Sequence, residues 1–92
     1  MIVRIMEEGQ YRLSDDLLGE LNQLDNQVAA AVSAGDDAAF SAGFQQLLAF
    51  VRTHGTPVAN DELVTSDHVL PHAETTLADA RSTFSGHGAL AG

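Results

Sequence analysis

The chain has 92 residues, of which thirteen are Asp or Glu and four are Arg, and it contains no Lys, Cys or Trp. This length predicts one small domain with a modest core, in which a deep enclosed active site is not expected. The lack of cysteine excludes disulfides, zinc ribbons, iron–sulfur clusters and thiol catalysis. The net charge of −9 disfavours binding to nucleic acid or anionic membranes, whose phosphates would repel the chain.

No stretch of the sequence is apolar enough to span a membrane. Fully apolar runs such as residues 28–32 are far shorter than the about 20 residues that a bilayer-spanning helix needs. The first residues, Met1–Arg4, lack the basic and apolar regions of a signal peptide. We therefore expect a cytoplasmic protein without direct membrane insertion.

Residues 2–13 predict a β-hairpin. A three-residue loop, Glu7-Glu8-Gly9, gives the hairpin one apolar face and one polar face, with Gly9 in the left-handed conformation. Because a slip of one residue would exchange the two faces, this loop is preferred over a two-residue one. The resulting register pairs Ile5 with Tyr11, Val3 with Leu13, and Arg4 with Arg12.

Two amphipathic helices are expected next, over residues 15–34 and 37–54. In both segments apolar side chains recur at spacings of three and four. Gly35 is a typical helix-ending residue, and Asp36 or Asp37 is a suitable N-cap for the second helix. The short connection predicts an antiparallel αα-hairpin. The apolar stripes consist of Leu17, Leu21, Leu24, Val28 and Val32 in the first helix, and of Phe40, Phe44, Leu47, Leu48 and Val51 in the second.

The remainder of the sequence is less regular. Residues 62–71 predict an extended segment, in which His68–Leu70 is expected to form an edge strand because a proline follows it. A capping-box-like start at Thr76 predicts a short helix over residues 77–84, and the glycine-rich residues 85–92 predict a flexible tail. The elements together predict a small α+β domain, in which the N-terminal hairpin packs on the αα-hairpin and a strand-like segment and a short helix follow.

The sequence predicts no catalytic or cofactor site. Adjacent carboxylates fall at turns and helix starts, where capping explains them, and nucleophile-elbow, phosphate-loop and dinucleotide motifs are absent. A metal site would require His68 and His72, with Glu74 as a third ligand. In an extended segment the two histidine Cα atoms would lie roughly 13 Å apart, which is too far for shared ligation. The preferred prediction is therefore no metal, with a small metal-binding protein as an alternative.

The hairpin carries the candidate partner-binding residues, which are Arg4 and Arg12 on its polar face, together with Tyr11. In the predicted register the two arginines lie opposite each other, and like charges in that position need an acidic counterpart. The counterpart is either the acid-rich stretch 61–79 of the same chain or the carboxylates of a partner. The free edges of the hairpin offer a further route, through which a partner strand or a second copy would join and form a homo-oligomer.

Four separated blocks of the sequence resemble the family of PspA-associated proteins, PspAA. These blocks are residues 1–13, beginning Met-Ile-Val-Arg-Ile-Met, then 16–25, then 61–71 with the run Asp-Glu-Leu-Val-Thr-Ser-Asp-His-Val-Leu-Pro, and finally 73–79. The family comprises small acidic proteins of actinobacteria and some archaea in phage-shock-type envelope stress systems. The resemblance implies a non-enzymatic adaptor that binds PspA, a coiled-coil, ESCRT-III-like membrane-remodelling protein. It implies no catalytic residue, and only an indirect link to the membrane through PspA.

Overall fold

Four strands form one mixed sheet. The computed structural model describes residues 1–59, 62 and 64–84, with the backbone alone for 81–84. The strands are β1 (Ile2–Ile5), β2 (Gly9–Arg12), β3 (Thr56–Pro57) and β4 (His68–Leu70). Their order in the sheet is β3-β2-β1-β4, in which β1 and β4 are parallel and the other two pairs are antiparallel. The prediction of an edge strand at His68–Leu70 is confirmed.

The hairpin register differs by two residues from the predicted one. Arg4 lies opposite Gln10, and Arg12 lies opposite Ile2, so the predicted pairing of Arg4 with Arg12 is wrong. The loop runs from Met6 to Glu8, with Glu7 in the left-handed conformation at φ of 67°, and Gly9, at φ of 138°, begins β2. A shift of two residues leaves every side chain on its predicted face, since side chains alternate with a period of two.

Both edges of the hairpin are occupied within the chain. Strand β4 pairs with β1 over three residues, and β3 pairs with β2 over two. The prediction of free hairpin edges for homo-oligomer formation is therefore wrong. On the β1 side, the sheet ends at β4, so the unpaired edge there belongs to β4 and not to the hairpin.

Three helices cover one face of the sheet. A short 3₁₀ turn at Asp15–Leu17 leads into α1 (Leu18–Ala34), which is followed by α2 (Asp37–His54) and later by α3 (Leu77–Phe84). Gly35 ends α1 in the left-handed conformation, and the Asp36 side chain accepts a hydrogen bond from the amide of Ala39, 3.0 Å away. This sharp stop and start gives the expected αα-hairpin.

The core lies between the helices and the inner face of the sheet. Its buried side chains come from alternate residues of β1 and from the apolar stripes of the helices, and all five predicted stripe residues of α2 are buried. The α+β class with a hairpin on an αα-hairpin is confirmed. The core residues are Val3, Ile5, Leu13, Leu21, Val28, Ala31, Val32, Phe40, Phe44, Leu47, Leu48, Val51, Leu70 and Ala80. The predicted flexible tail, residues 85–92, lies outside the described residues.

Candidate functional site

The sheet has an inner face toward the helices and an outer face away from them. Val3 and Ile5 belong to the core, so strand alternation places Ile2 and Arg4 on the outer face. The observed register adds the side chains that lie beside them on the neighbouring strands. The outer face therefore carries Ile2, Arg4, Gln10, Arg12 and Val69.

The described residues of the connection between β3 and β4 contact one part of this outer face, at Gln10 and Arg12. The Gln10 side-chain amide donates to the Val64 carbonyl, 3.1 Å away, and to the Ser66 hydroxyl, 2.8 Å away. At the start of β1, the backbone amide of Ile2 donates a hydrogen bond to a carboxylate oxygen of Asp67, 2.7 Å away. Ile2 is consequently only 8% exposed although it lies outside the main core cluster.

Arg12 is neutralised by the same connection. Its Nη2 lies 2.5 Å from Oε1 of Glu62, and both side chains are about half exposed. Of the two counterparts that the sequence left open, the acid-rich stretch of the chain itself is therefore the one that Arg12 meets. Such an exposed pair contributes little stability, but it occupies the guanidinium that was a candidate for partner binding.

Arg4 lies on another part of the outer face. Within the part of the chain whose side chains are described, no carboxylate pairs with it. Its neighbour on β4 is Val69, and Met6 follows two residues along the same chain. Met6 and Val69 are each 45% exposed, so two large apolar side chains lie beside Arg4. We call Arg4, Met6 and Val69 the outer strip.

Tyr11 does not belong to the outer face. It lies opposite Val3 on the inner side, where its ring packs against the core cluster. Its hydroxyl donates to Oε2 of Glu8, 2.6 Å away. The three candidate residues therefore differ: Arg4 has no carboxylate partner among the described side chains, Arg12 is paired with Glu62, and Tyr11 lies on the inner face.

Glu8 connects the hairpin loop to the last turn of α2. Arg52 donates to it through Nε at 2.8 Å and through Nη2 at 2.5 Å, which is the two-point geometry of a strong guanidinium–carboxylate pair. The hydrogen bond from Arg52, aided by that from Tyr11, lowers the pKa of Glu8 from 4.5 to about 2 against a smaller opposing effect of burial. In return, the hydrogen bond to Glu8 raises the pKa of Tyr11 above 10.

A shallow cavity of about 220 Å³ opens beside the outer strip. It is lined by Met6, Glu7, Glu8, His72, Ala73 and Glu74. The His72 Nδ1 atom accepts a hydrogen bond from the amide of Glu74, 3.2 Å away, and lies 3.6 Å from an Oε2 of Glu7. Three of the six lining residues are glutamates; Glu8 is paired with Arg52, so Glu7 and Glu74 are the carboxylates that this acidic cavity offers.

The structure does not assemble the metal site considered from the sequence. His68 lies on the inner face opposite Val3, whereas His72 and Glu74 lie at the rim of the acidic cavity. Among the described residues, no three His, Asp or Glu side chains are grouped closely enough to hold a metal ion.

Two features of the described structure were missed from the sequence. The pair of Glu8 with Arg52 joins elements far apart in the chain, and no local spacing signals it. Asp25 is only 2% exposed and has a partner within the molecule. Its spacing of four from Leu21 and three from Val28, both buried, is the available signal, since it places the carboxylate on the buried face of α1.

Comparison with known proteins gives one match. The model of the PspAA family, described as PspA-associated protein, matches residues 1–92. The chain therefore belongs to the PspAA family, as the resemblance of its four blocks suggested. No curated protein and no solved structure matches the chain. In the part that the structure describes, none of the helices is both long enough and apolar enough to cross a bilayer.

Proposed function

We propose that this chain is a non-enzymatic accessory protein that binds PspA in a phage-shock-type envelope stress response. The observation that carries the proposal is the family match over all 92 residues, because the family is defined by its association with PspA. The fold agrees with a binding role, since its open surface is a sheet face and a shallow acidic cavity. The expected partner is PspA itself, a coiled-coil protein.

The charge of the chain supports an indirect relation to the membrane. At −9, the chain is repelled by anionic lipid headgroups, and this repulsion extends about one Debye length from the surface. We propose that the protein acts in the cytoplasm and associates with the membrane only while it is bound to PspA. In this arrangement PspA supplies the lipid contact and this chain modifies what PspA does.

The test is binding between the purified chain and the PspA-like protein of the same organism. Isothermal titration should give a saturable complex, and light scattering should show the mass of the chain added to that of PspA. The chain should sediment with anionic vesicles only when PspA is present. No saturable binding, or equal sedimentation without PspA, contradicts the proposal.

Self-association must be measured in the same experiment. The chain alone should remain a monomer in light scattering at the concentrations used for titration. If it forms a discrete dimer through the outer edge of β4 and does not bind PspA, the adaptor role is wrong and a homo-oligomeric module replaces it.

A further inference from the structure

We propose that the outer strip is a docking surface for one helix of the coiled-coil partner, with Arg4 receiving an acidic side chain and the acidic cavity receiving a basic one. This inference rests on the proposed function and specifies which surface of the chain is used. Its basis is the charge pattern on the part of the outer face where Arg4 lies.

The first step concerns charge. The chain has thirteen acids and four arginines, so an arginine without a carboxylate is unexpected in it. Arg12 pairs with Glu62 and Arg52 pairs with Glu8, whereas Arg4 has no such partner among the described side chains. A guanidinium on a flat sheet face can bind a carboxylate through two parallel hydrogen bonds. Arg4 is therefore the point at which the surface accepts an acidic group.

The second step concerns apolar area. Three large apolar side chains of the described structure are exposed, and two of them, Met6 and Val69, flank Arg4. Their contact with a partner would remove water from around the guanidinium and strengthen its ion pair. Methionine also adapts its shape to a partner surface more readily than branched residues do. The strip thus combines an apolar contact with a single positive group.

The third step concerns the acidic cavity. Met6 belongs both to the outer strip and to the cavity wall, so the two features are continuous. Along the strand, Arg4 and Met6 are roughly 6.6 Å apart. On a helix, side chains at positions i and i+4 are separated by about 6 Å along the axis. A partner helix that contacts Arg4 through an acid therefore lies within about one helical turn of Met6 at the cavity rim, where a base on the same helix would meet Glu7 or Glu74.

The fourth step selects the occupant. Exposed faces of coiled-coil helices carry interleaved acids and bases at this spacing beside apolar residues. A second copy of this chain is a poorer match, because two chains that each carry a net charge of −9 repel each other. An anionic lipid surface is repelled by the net charge of the chain. A helix of the coiled-coil partner is the occupant that satisfies both charges.

The test compares two arginine substitutions on the same face of the sheet. Arg4→Gln should weaken the affinity for the purified PspA-like protein about tenfold. Arg12→Gln removes the same charge from a guanidinium already paired with Glu62, and should change the affinity less than about twofold. Met6→Ser and Val69→Ser should each weaken it by at least about fivefold. Circular dichroism and urea unfolding must show that all four variants fold.

NMR of the labelled chain distinguishes the occupants. On addition of the PspA-like protein, the amide signals of Arg4, Met6 and Val69 should shift, together with those of Glu7 and Glu74. New hydrogen-exchange protection confined to the Val69 amide, which points away from β1 at the free edge of β4, would indicate an added strand and overturn the helix assignment. Saturable binding by wild type with equal affinity for the Arg4→Gln and Arg12→Gln variants overturns the surface alone. Absence of any wild-type binding overturns the proposed function and this inference together.

Discussion

Arg52, in the last turn of α2, donates hydrogen bonds to both carboxylate oxygens of Glu8, which lies 44 residues earlier in the hairpin loop. This pair ties the loop to the helical layer at the end of the molecule where the acidic cavity opens. It also engages the Tyr11 hydroxyl, so that one carboxylate fixes a loop, a strand and a helix relative to each other.

The first prediction concerns the contribution of this pair to stability. Glu8→Gln should lower the free energy of unfolding at neutral pH by about 1 kcal/mol, because the Arg52 and Glu8 side chains are 38% and 29% exposed and solvent screens part of their attraction. Urea unfolding measures the change. Glu20→Gln, which removes a carboxylate from the first turn of α1, is the control and should change stability by less than half as much.

The second prediction is the pH dependence of that contribution. Folding lowers the pKa of Glu8 from 4.5 to about 2, so the unfolded chain takes up a proton first as pH falls. The stabilisation is therefore complete above pH 4.5 and is lost progressively toward pH 2. The difference in stability between wild type and Glu8→Gln should shrink over this window. A difference that stays constant down to pH 2 would show that the ion pair is not its source.

The third prediction uses the single tyrosine of the chain as a reporter. Because Tyr11 donates to the Glu8 carboxylate, its pKa lies above 10, and loss of its proton would place two negative charges together. The ultraviolet absorbance of the phenolate follows this titration without interference, since the chain has no tryptophan. Glu8→Gln should bring the titration back toward pH 10. An identical curve for both proteins would contradict the observed hydrogen bond.

The fourth prediction concerns close packing at the end of α2. A Cβ at Gly55 would lie 2.6 Å from the Val51 carbonyl oxygen and 2.8 Å from the Tyr11 Cβ, neither of which is the flexible end of a side chain. Gly55→Ala should therefore lower the free energy of unfolding by about 1–3 kcal/mol. Gly19→Ala is the opposite case, because nothing lies within 4 Å and α1 gains helix propensity. It should raise stability by about 0.5–1 kcal/mol, and thermal unfolding of both variants tests the contrast.

The fifth prediction separates two neighbouring aspartates at the start of α2. Asp36→Ala removes the acceptor of the Ala39 amide and should cost about 1 kcal/mol. Asp37→Ala removes the same charge without that hydrogen bond, leaving a loss of only a few tenths of a kcal/mol from the helix dipole. Chemical unfolding compares them, and equal losses would mean that charge, not capping, is responsible.

The sequence predicted the features that depend on local periodicity. The stripe from Phe40 to Val51 and the break at Gly35 follow from side-chain spacing and backbone preference, and both are confirmed. The hairpin register was wrong because a loop with a left-handed Glu7 is less favourable than one with a left-handed glycine, and tertiary contacts of Glu8 override this preference.

The candidate site was predicted only in part, since pairing between distant segments has no local signal. Arg4 and Arg12 were placed correctly on one face by alternation. Glu62 pairs with Arg12 and not with Arg4 because of where the connection between β3 and β4 lies. The sequence gives no signal for that position, since β3 has only two residues and shows no periodicity. Alternation placed Tyr11 on the apolar face, but its hydrogen bond to Glu8, which Arg52 of a distant helix also contacts, has no local signal.

The parallel pairing of β1 with β4 also has a kinetic consequence. It joins segments 65 residues apart, whereas α1 and α2 meet through a short turn, so loop closure favours the helical hairpin first. Arg4 and Val69 become neighbours only when β4 pairs with β1. A partner that binds the outer strip therefore binds the fully folded chain and not a partly folded one.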